Sequence, residues 1–142
     1  SDSLYFNKEK TFPGVGAYHS EKSPYYDWFT FYDFPNSYNC WWNFDTLPTV
    51  NKLHPSFMNY IIDNEDSVVA HWLKLGADGF RLDVADELPD EFLKLLYDRV
   101  KEINPDGDLG NGHGVLRQGG DQGMTHLVVD LKIVGCFDCH WD

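Results

Sequence analysis

From residue 55 onward the apolar positions fall into two alternating periods. Phe57, Ile61, Val68, Val69, Trp72 and Leu73 recur at approximately helical spacing behind Pro55, and Gly76 supplies a stop. The spacing predicts a helix, with an exposed break or bend near Asn64-Glu65-Asp66. The period then shortens to two, with Phe80, Leu82 and Val84 on one side and Arg81 and Asp83 on the other, which predicts a strand through Gly79 to Ala85. Helical spacing returns after Pro89 with Phe92, Leu95, Leu96, Val100 and Ile103 and ends at Asn104-Pro105. A loop followed by helix, strand and helix is the repeating unit of a parallel α/β protein.

Neither end of the chain shows such regularity. Pro13, Gly14, Gly16, Pro24, Pro35 and Pro48 interrupt residues 1–54 among many aromatics, which predicts a long, ordered loop region. Loops of that length in compact domains are usually functional. Residues 107–142 open with Gly107, Gly110, Gly112, Gly114, Gly119, Gly120 and Gly123 and few apolar positions, so a flexible connector is expected there. His126 to Phe137 is β-prone and can add one strand, though its surroundings offer no obvious partner.

Composition narrows the partners. The net charge is −12 over 142 residues with no basic stripe, which disfavours nucleic acid and anionic membranes. No run of 18 or more apolar residues is present to span a bilayer. Aromatics make up 16% of the chain and crowd into residues 25–44, a polar stretch where a core does not obviously need them. That density suggests a surface that stacks on flat, uncharged rings such as sugars. Three cysteines cannot all pair within one chain, and their sparseness favours a reducing, cytoplasmic compartment. The first residues lack both a signal-peptide pattern and an initiator methionine, which suits a processed or cut chain.

Arg81 and Asp83 carry the chemistry. Alternation makes them neighbours at the carboxyl end of the predicted strand, where α/β enzymes assemble their sites. A guanidinium beside a carboxylate favours the ionised form, which leaves Asp83 available as a nucleophile or an electrostatic stabiliser. A structural ion pair at a strand end is the plainer alternative, and the flanking sequence argues against it.

Gly79-Phe80-Arg81-Leu82-Asp83-Val84-Ala85-Asp86-Glu87 resembles the fourth-strand motif of glycoside hydrolase family 13, the α-amylase family. Leu47-Pro48-Thr49-Val50-Asn51 is similar to a short motif of its neopullulanase and cyclomaltodextrinase group. Ser23-Pro24-Tyr25-Tyr26-Asp27-Trp28-Phe29 and Cys40-Trp41-Trp42 resemble that group's loop between the third strand and third helix. The similarity extends from residue 1 to about residue 106. It implies an α/β fold that is part of a (β/α)8 TIM barrel, since 142 residues are about half of the roughly 250 that such a barrel needs. Residues 1–54 would be the loop subdomain after the third strand, 55–106 a helix-strand-helix part of the catalytic barrel, and 107–142 a Gly-rich tail outside the family pattern. With part of the ring present, exposed apolar faces are expected to promote self-association.

The same resemblance implies a retaining hydrolase or transglycosylase acting on α-glucan oligosaccharides without a cofactor or metal. Asp83 would be the nucleophile and Arg81 would orient it. Asp86 and Glu87 could bond sugar hydroxyls or serve as charges at a helix N-terminus. Trp41 and Trp42 could form a sugar-stacking wall or pack internally. Tyr18 and His19 lie in the same loop and take no assigned role. Retaining chemistry needs a second carboxyl roughly 5 to 5.5 Å from the nucleophile. The family draws it from a Gly-Glu segment that should follow Asn104-Pro105-Asp106, but residues 107–123 hold no glutamate. The third-strand motif ending in Asn-His would lie just before Ser1, and the late His-Asp motif is absent from the tail. The chain is therefore expected to be a slice of the barrel that is inactive alone on starch-like substrates.

Three smaller patterns point elsewhere. Cys136-Phe137-Asp138-Cys139-His140 matches the covalent haem-attachment spacing, but no haem-enclosing fold precedes it. A zinc site would need His126 or His113 beside these residues, and free thiols are the simpler reading. Asp106 to Asn111 resembles a calcium loop, but Arg117 stands where its final glutamate belongs, so a turn is expected. A non-catalytic carbohydrate-binding module using the aromatic loop is the alternative function. Such modules are normally β-sandwiches, which the helix-strand-helix order disfavours.

Overall fold

The computed structural model describes residues 4–10, 14–111, 114–115 and 128–131, with backbone alone from 111 onward. The chain divides into two compact units, one formed by residues up to His54 and the other by Pro55–Leu131.

The first unit is held by aromatic packing with very little regular structure. A turn of 3-10 helix at Tyr26–Trp28 leads into a hairpin of β1 (Phe31–Asp33) and β2 (Ser37–Tyr38). A second such turn covers Trp41–Asn43. The buried Phe6 ring sits at the centre, 5.1 Å from Phe29, 6.1 Å from Phe31 and 4.7 Å from Tyr38. Tyr26 stacks on Phe31 at 5.1 Å. The aromatics of residues 25–44 thus largely build a core, contrary to the expectation of a surface array, because Phe6 arrives from a distant part of the chain to pack among them. The segment Leu47–Asn51 closes the unit through main-chain bonds: Thr49 N donates to Asn39 O at 2.8 Å and Asn51 N to Trp28 O at 2.6 Å.

The second unit is mixed α/β. Helix α1 (Pro55–Met58) continues into a π-helical turn at Asn59–Asp63, and the chain breaks before α2 (Val68–Lys74). The break falls where the sequence predicts a bend. Ser67 makes it: its buried hydroxyl donates to Ile62 O at 3.0 Å and accepts from Ala70 N at 3.2 Å, capping α2. Arg99 adds a bond from Nε to the same Ile62 carbonyl at 3.2 Å. Gly76 ends α2 with a φ of 98°, a left-handed conformation that glycine adopts without strain.

Strand β3 (Gly79–Leu82) is followed by a 3-10 turn at Ala85–Glu87 and by α3 (Asp90–Ile103). Phe92, Leu96 and Val100, one turn apart, form the buried stripe of α3, while Leu95 is exposed rather than on the predicted apolar face. Next comes β4 (Asp108–Asn111), parallel to β3, with Gly79 opposite Asp108 and Leu82 opposite Asn111. A Cβ on Gly79 would collide with the Asp108 carbonyl, so the close approach of the two strands requires glycine there. The short β5 (Gly114–Val115) pairs antiparallel with β4, and β6 (Val128–Leu131) runs parallel to β3 on its other side. The sheet order is β5-β4-β3-β6.

Strand β4 replaces the connector and the turn expected at residues 106–111, since pairing with β3 satisfies backbone groups that local propensity leaves open. The β-prone segment near Val128 finds its partner in β3. Among the described residues the sheet does not close into a barrel. No helix among them is long and apolar enough to cross a membrane. His113, His126, Cys136, Cys139 and His140, and with them the haem and zinc patterns, lie outside the described residues, as does Arg117.

Candidate functional site

The end of β3 brings Arg81 and Asp83 together. Phe80 and Leu82 are buried, and Arg81 and Asp83 have the opposite parity. The Arg81 Nη2 atom donates to Asp83 Oδ1 at 3.4 Å, with the two side chains 39% and 38% exposed. The carboxylate is therefore held by a guanidinium and still open to solvent. An exposed pair of this kind adds at most about 1 kcal/mol to stability.

The strand is shorter than the alternation implies. It ends at Leu82, and Val84 takes φ 51° and ψ 44° instead of extending the sheet. A β-branched residue in this left-handed region is strained by about 1–3 kcal/mol. Glu87 N donates to Val84 O at 3.0 Å and Leu88 N to Ala85 O at 3.1 Å, closing a tight turn. Leu88 is buried and anchors that turn. Asp86 and Glu87 sit exposed on it. Both carboxylates lie in the first turn of this short 3-10 helix, and α3 beyond it carries its own acidic first-turn residues, Asp90 and Glu91.

In the first unit, Trp41 and Trp42 form a stacked pair with ring centroids 5.3 Å apart and 30° between their planes. Trp42 is 71% exposed and Trp41 is partly covered. The turn that presents them runs through two consecutive left-handed residues, Trp42 at φ 49° and Asn43 at φ 62°. It is tied down by Trp41 N to Leu47 O at 2.9 Å and by Phe44 N to Trp41 O at 3.0 Å. Trp42 is thus displayed on a braced turn, in contrast to the core aromatics around it.

Tyr18 packs against Phe6 at 5.5 Å and Tyr38 at 6.3 Å, as a member of the core. His19 lies edge-on to Tyr18, and its Nε2 is buried without a hydrogen-bond partner among the described residues. Below them Lys8 Nζ donates to Tyr38 Oη at 3.0 Å, and Tyr38 Oη donates to Asp45 O at 2.8 Å. The hydrogen bond that Lys8 donates to Tyr38 raises the pKa of its ammonium against the opposing effect of burial. Burial pushes the Tyr38 phenol and the Cys40 thiol up. The sequence reading missed Val84 and the Lys8–Tyr38 link. Nothing local marks valine for a left-handed turn, and residues thirty apart give no pairing signal.

No protein-family model matches the chain. An amylopullulanase from Thermoanaerobacterium saccharolyticum is 33% identical over 126 residues, which cover 76% of this chain and 10% of that protein. Neopullulanase 2 from Thermoactinomyces vulgaris is 38% identical over 93 residues, covering 61% of this chain and 15% of the relative. Among solved structures, the native form of a debranching enzyme from Nostoc punctiforme superposes with a TM-score of 0.56 at 31% identity, over 67% of this chain and 21% of that one. The chain therefore spans a small part of the length of each of these proteins.

Proposed function

Because the chain belongs to the α-amylase family, glycoside hydrolase family 13, we propose that it carries the nucleophile half of a retaining site for α-glucosidic bonds. The supporting observation is the Arg81–Asp83 pair at 3.4 Å, solvent-open at the end of β3. In this reading β3 is the fourth strand of a (β/α)8 barrel, and β4, which follows α3 and lies parallel to β3, takes the place of the fifth.

The first step transfers a glycosyl group to Asp83. A carboxylate oxygen attacks the anomeric carbon as the bond to the leaving oxygen breaks, and that oxygen takes a proton from a general acid. Water then hydrolyses the ester, or a sugar hydroxyl intercepts it. Arg81 fixes the carboxylate for attack. The Trp41–Trp42 pair offers a stacking surface for a glucose ring, and Asp86 and Glu87 accept hydrogen bonds from sugar hydroxyls. The general acid is the missing group, since residues 107–123 hold no glutamate. The 142-residue chain alone should therefore not turn over maltodextrins or pullulan.

A substrate that needs no acid tests this directly. With 5-fluoro-α-D-glucosyl fluoride the C1–F bond breaks, fluoride departs unprotonated, and a C1–O bond to Asp83 forms. Mass spectrometry of the digested chain should find the adduct on Asp83 and none after Asp83→Asn. An unlabelled chain, or a label on another residue, would remove Asp83 from the role.

A further inference from the structure

The residue after Asp83 adopts a backbone conformation that its side chain disfavours. Val84 sits at φ 51° and ψ 44°. A β-branched residue rarely enters this region, where its Cβ substituents crowd the flanking peptides. The fold imposes the strain from both sides. Leu82 is locked in parallel register with β4 and β6, and the turn beyond is closed by Glu87 N to Val84 O and seated by the buried Leu88. Val84 joins these two fixed segments. Its left-handed turn ends the sheet at Leu82 and leaves Asp83 as the last residue before the chain swings away.

We propose that Val84 is a positioning residue: its strained turn holds the Asp83 carboxylate in the one orientation, beside Arg81, from which it attacks a sugar's anomeric carbon. The physical basis is the width of the conformational well. Glycine reaches left-handed φ easily but ranges broadly around it, whereas valine, once forced there, has few alternatives. Asparagine tolerates the region and is more restricted than glycine. The inference rests on Asp83 as nucleophile, so both are tested on the same chain with 5-fluoro-α-D-glucosyl fluoride.

Val84→Gly should keep the parent's circular dichroism and a thermal midpoint no lower than the parent's, because the strain is relieved. Its rate of Asp83 labelling should fall by at least about tenfold, as expected when a reacting group loses its orientation. Val84→Asn should recover most of the lost rate. A purely structural valine would change the midpoint and leave labelling untouched, so equal labelling of parent and Val84→Gly would overturn the inference and leave the nucleophile assignment standing. An unlabelled parent would overturn both. A solution φ at Val84 that is negative, read from backbone NMR couplings and carbon shifts, would overturn the inference whatever the labelling shows.

Discussion

Arg81 Nη2 and Asp83 Oδ1 stand 3.4 Å apart, and the residue between them, Leu82, buries its side chain on the opposite side of β3. Arg81 is set by the last residues of β3 and Asp83 by the turn that follows Leu82, and both members remain over a third exposed. Its weight should therefore fall on reactivity. Arg81→Met is expected to shift stability by less than about 1 kcal/mol, the range of exposed ion pairs, as read from urea unfolding. Labelling of Asp83 by the activated fluoride should slow by roughly ten- to a hundredfold, the equivalent of losing a charge-assisted hydrogen bond. A large stability loss with unchanged labelling would reverse the assignment and make the pair a structural clamp.

Trp42 separates stacking from packing. With 71% of its surface exposed it contributes little to the core, and its left-handed backbone disfavours any branched or bulky replacement. Trp42→Gly should leave the thermal midpoint level or higher. Its affinity for maltodextrin, measured by titration calorimetry, should drop by roughly three- to tenfold, the worth of one aromatic contact. Unchanged affinity would assign the ring no part in sugar binding.

Helix α3 offers a matched pair of truncations. Phe92 is fully buried and Leu95, one residue short of the Leu96 stripe, is exposed. Phe92→Ala should cost about 3–5 kcal/mol, a large part of a small unit's stability. Leu95→Ala should stay within about 0.5 kcal/mol. Comparable effects from the two would mean that Leu95 is covered in solution.

That contrast shows what the pattern of residues conveys. The period of α3, the bend at Asn64–Asp66 and the neighbourhood of Arg81 and Asp83 follow from local spacing, so all were legible. Val84 was not, because alternation and β-propensity both assign it to the strand, and only the closed turn at Ala85–Glu87 forces it out. Strand β4 was hidden by Gly110 and the glycine-rich segment around it, and the glycine its pairing requires, Gly79, lies on the neighbouring strand. The aromatic region was half-legible. Its density reads as a stacking surface in the sequence, but whether a ring is core or surface depends on Phe6, which packs among them from far along the chain.

The first unit should lose stability on the alkaline side, and the sign follows from three groups. Lys8 is raised above 10.5 mainly by its hydrogen bond with Tyr38, Tyr38 above 10.0 mainly by burial, and Cys40 above 9.0 mainly by burial. Each binds its proton more tightly in the folded unit than in the unfolded chain. The folded state therefore holds more protons at high pH, and stability declines as pH rises. The contribution is complete below the ordinary thiol value of 9.0 and is lost as pH climbs through the raised folded values. The geometry agrees, because the ammonium donates to the phenol and the phenol donates onward to Asp45 O, an arrangement that needs both protons. Thermal midpoints measured from neutral pH to about 11 should fall most steeply above the ordinary tyrosine range, together with tyrosinate absorbance. Tyr38→Phe should flatten the tyrosine part of that decline while lowering the midpoint at neutral pH, where the bonds to Lys8 and Asp45 are gone. A parent midpoint that stays level to the alkaline limit would mean that Tyr38 is not buried in this network.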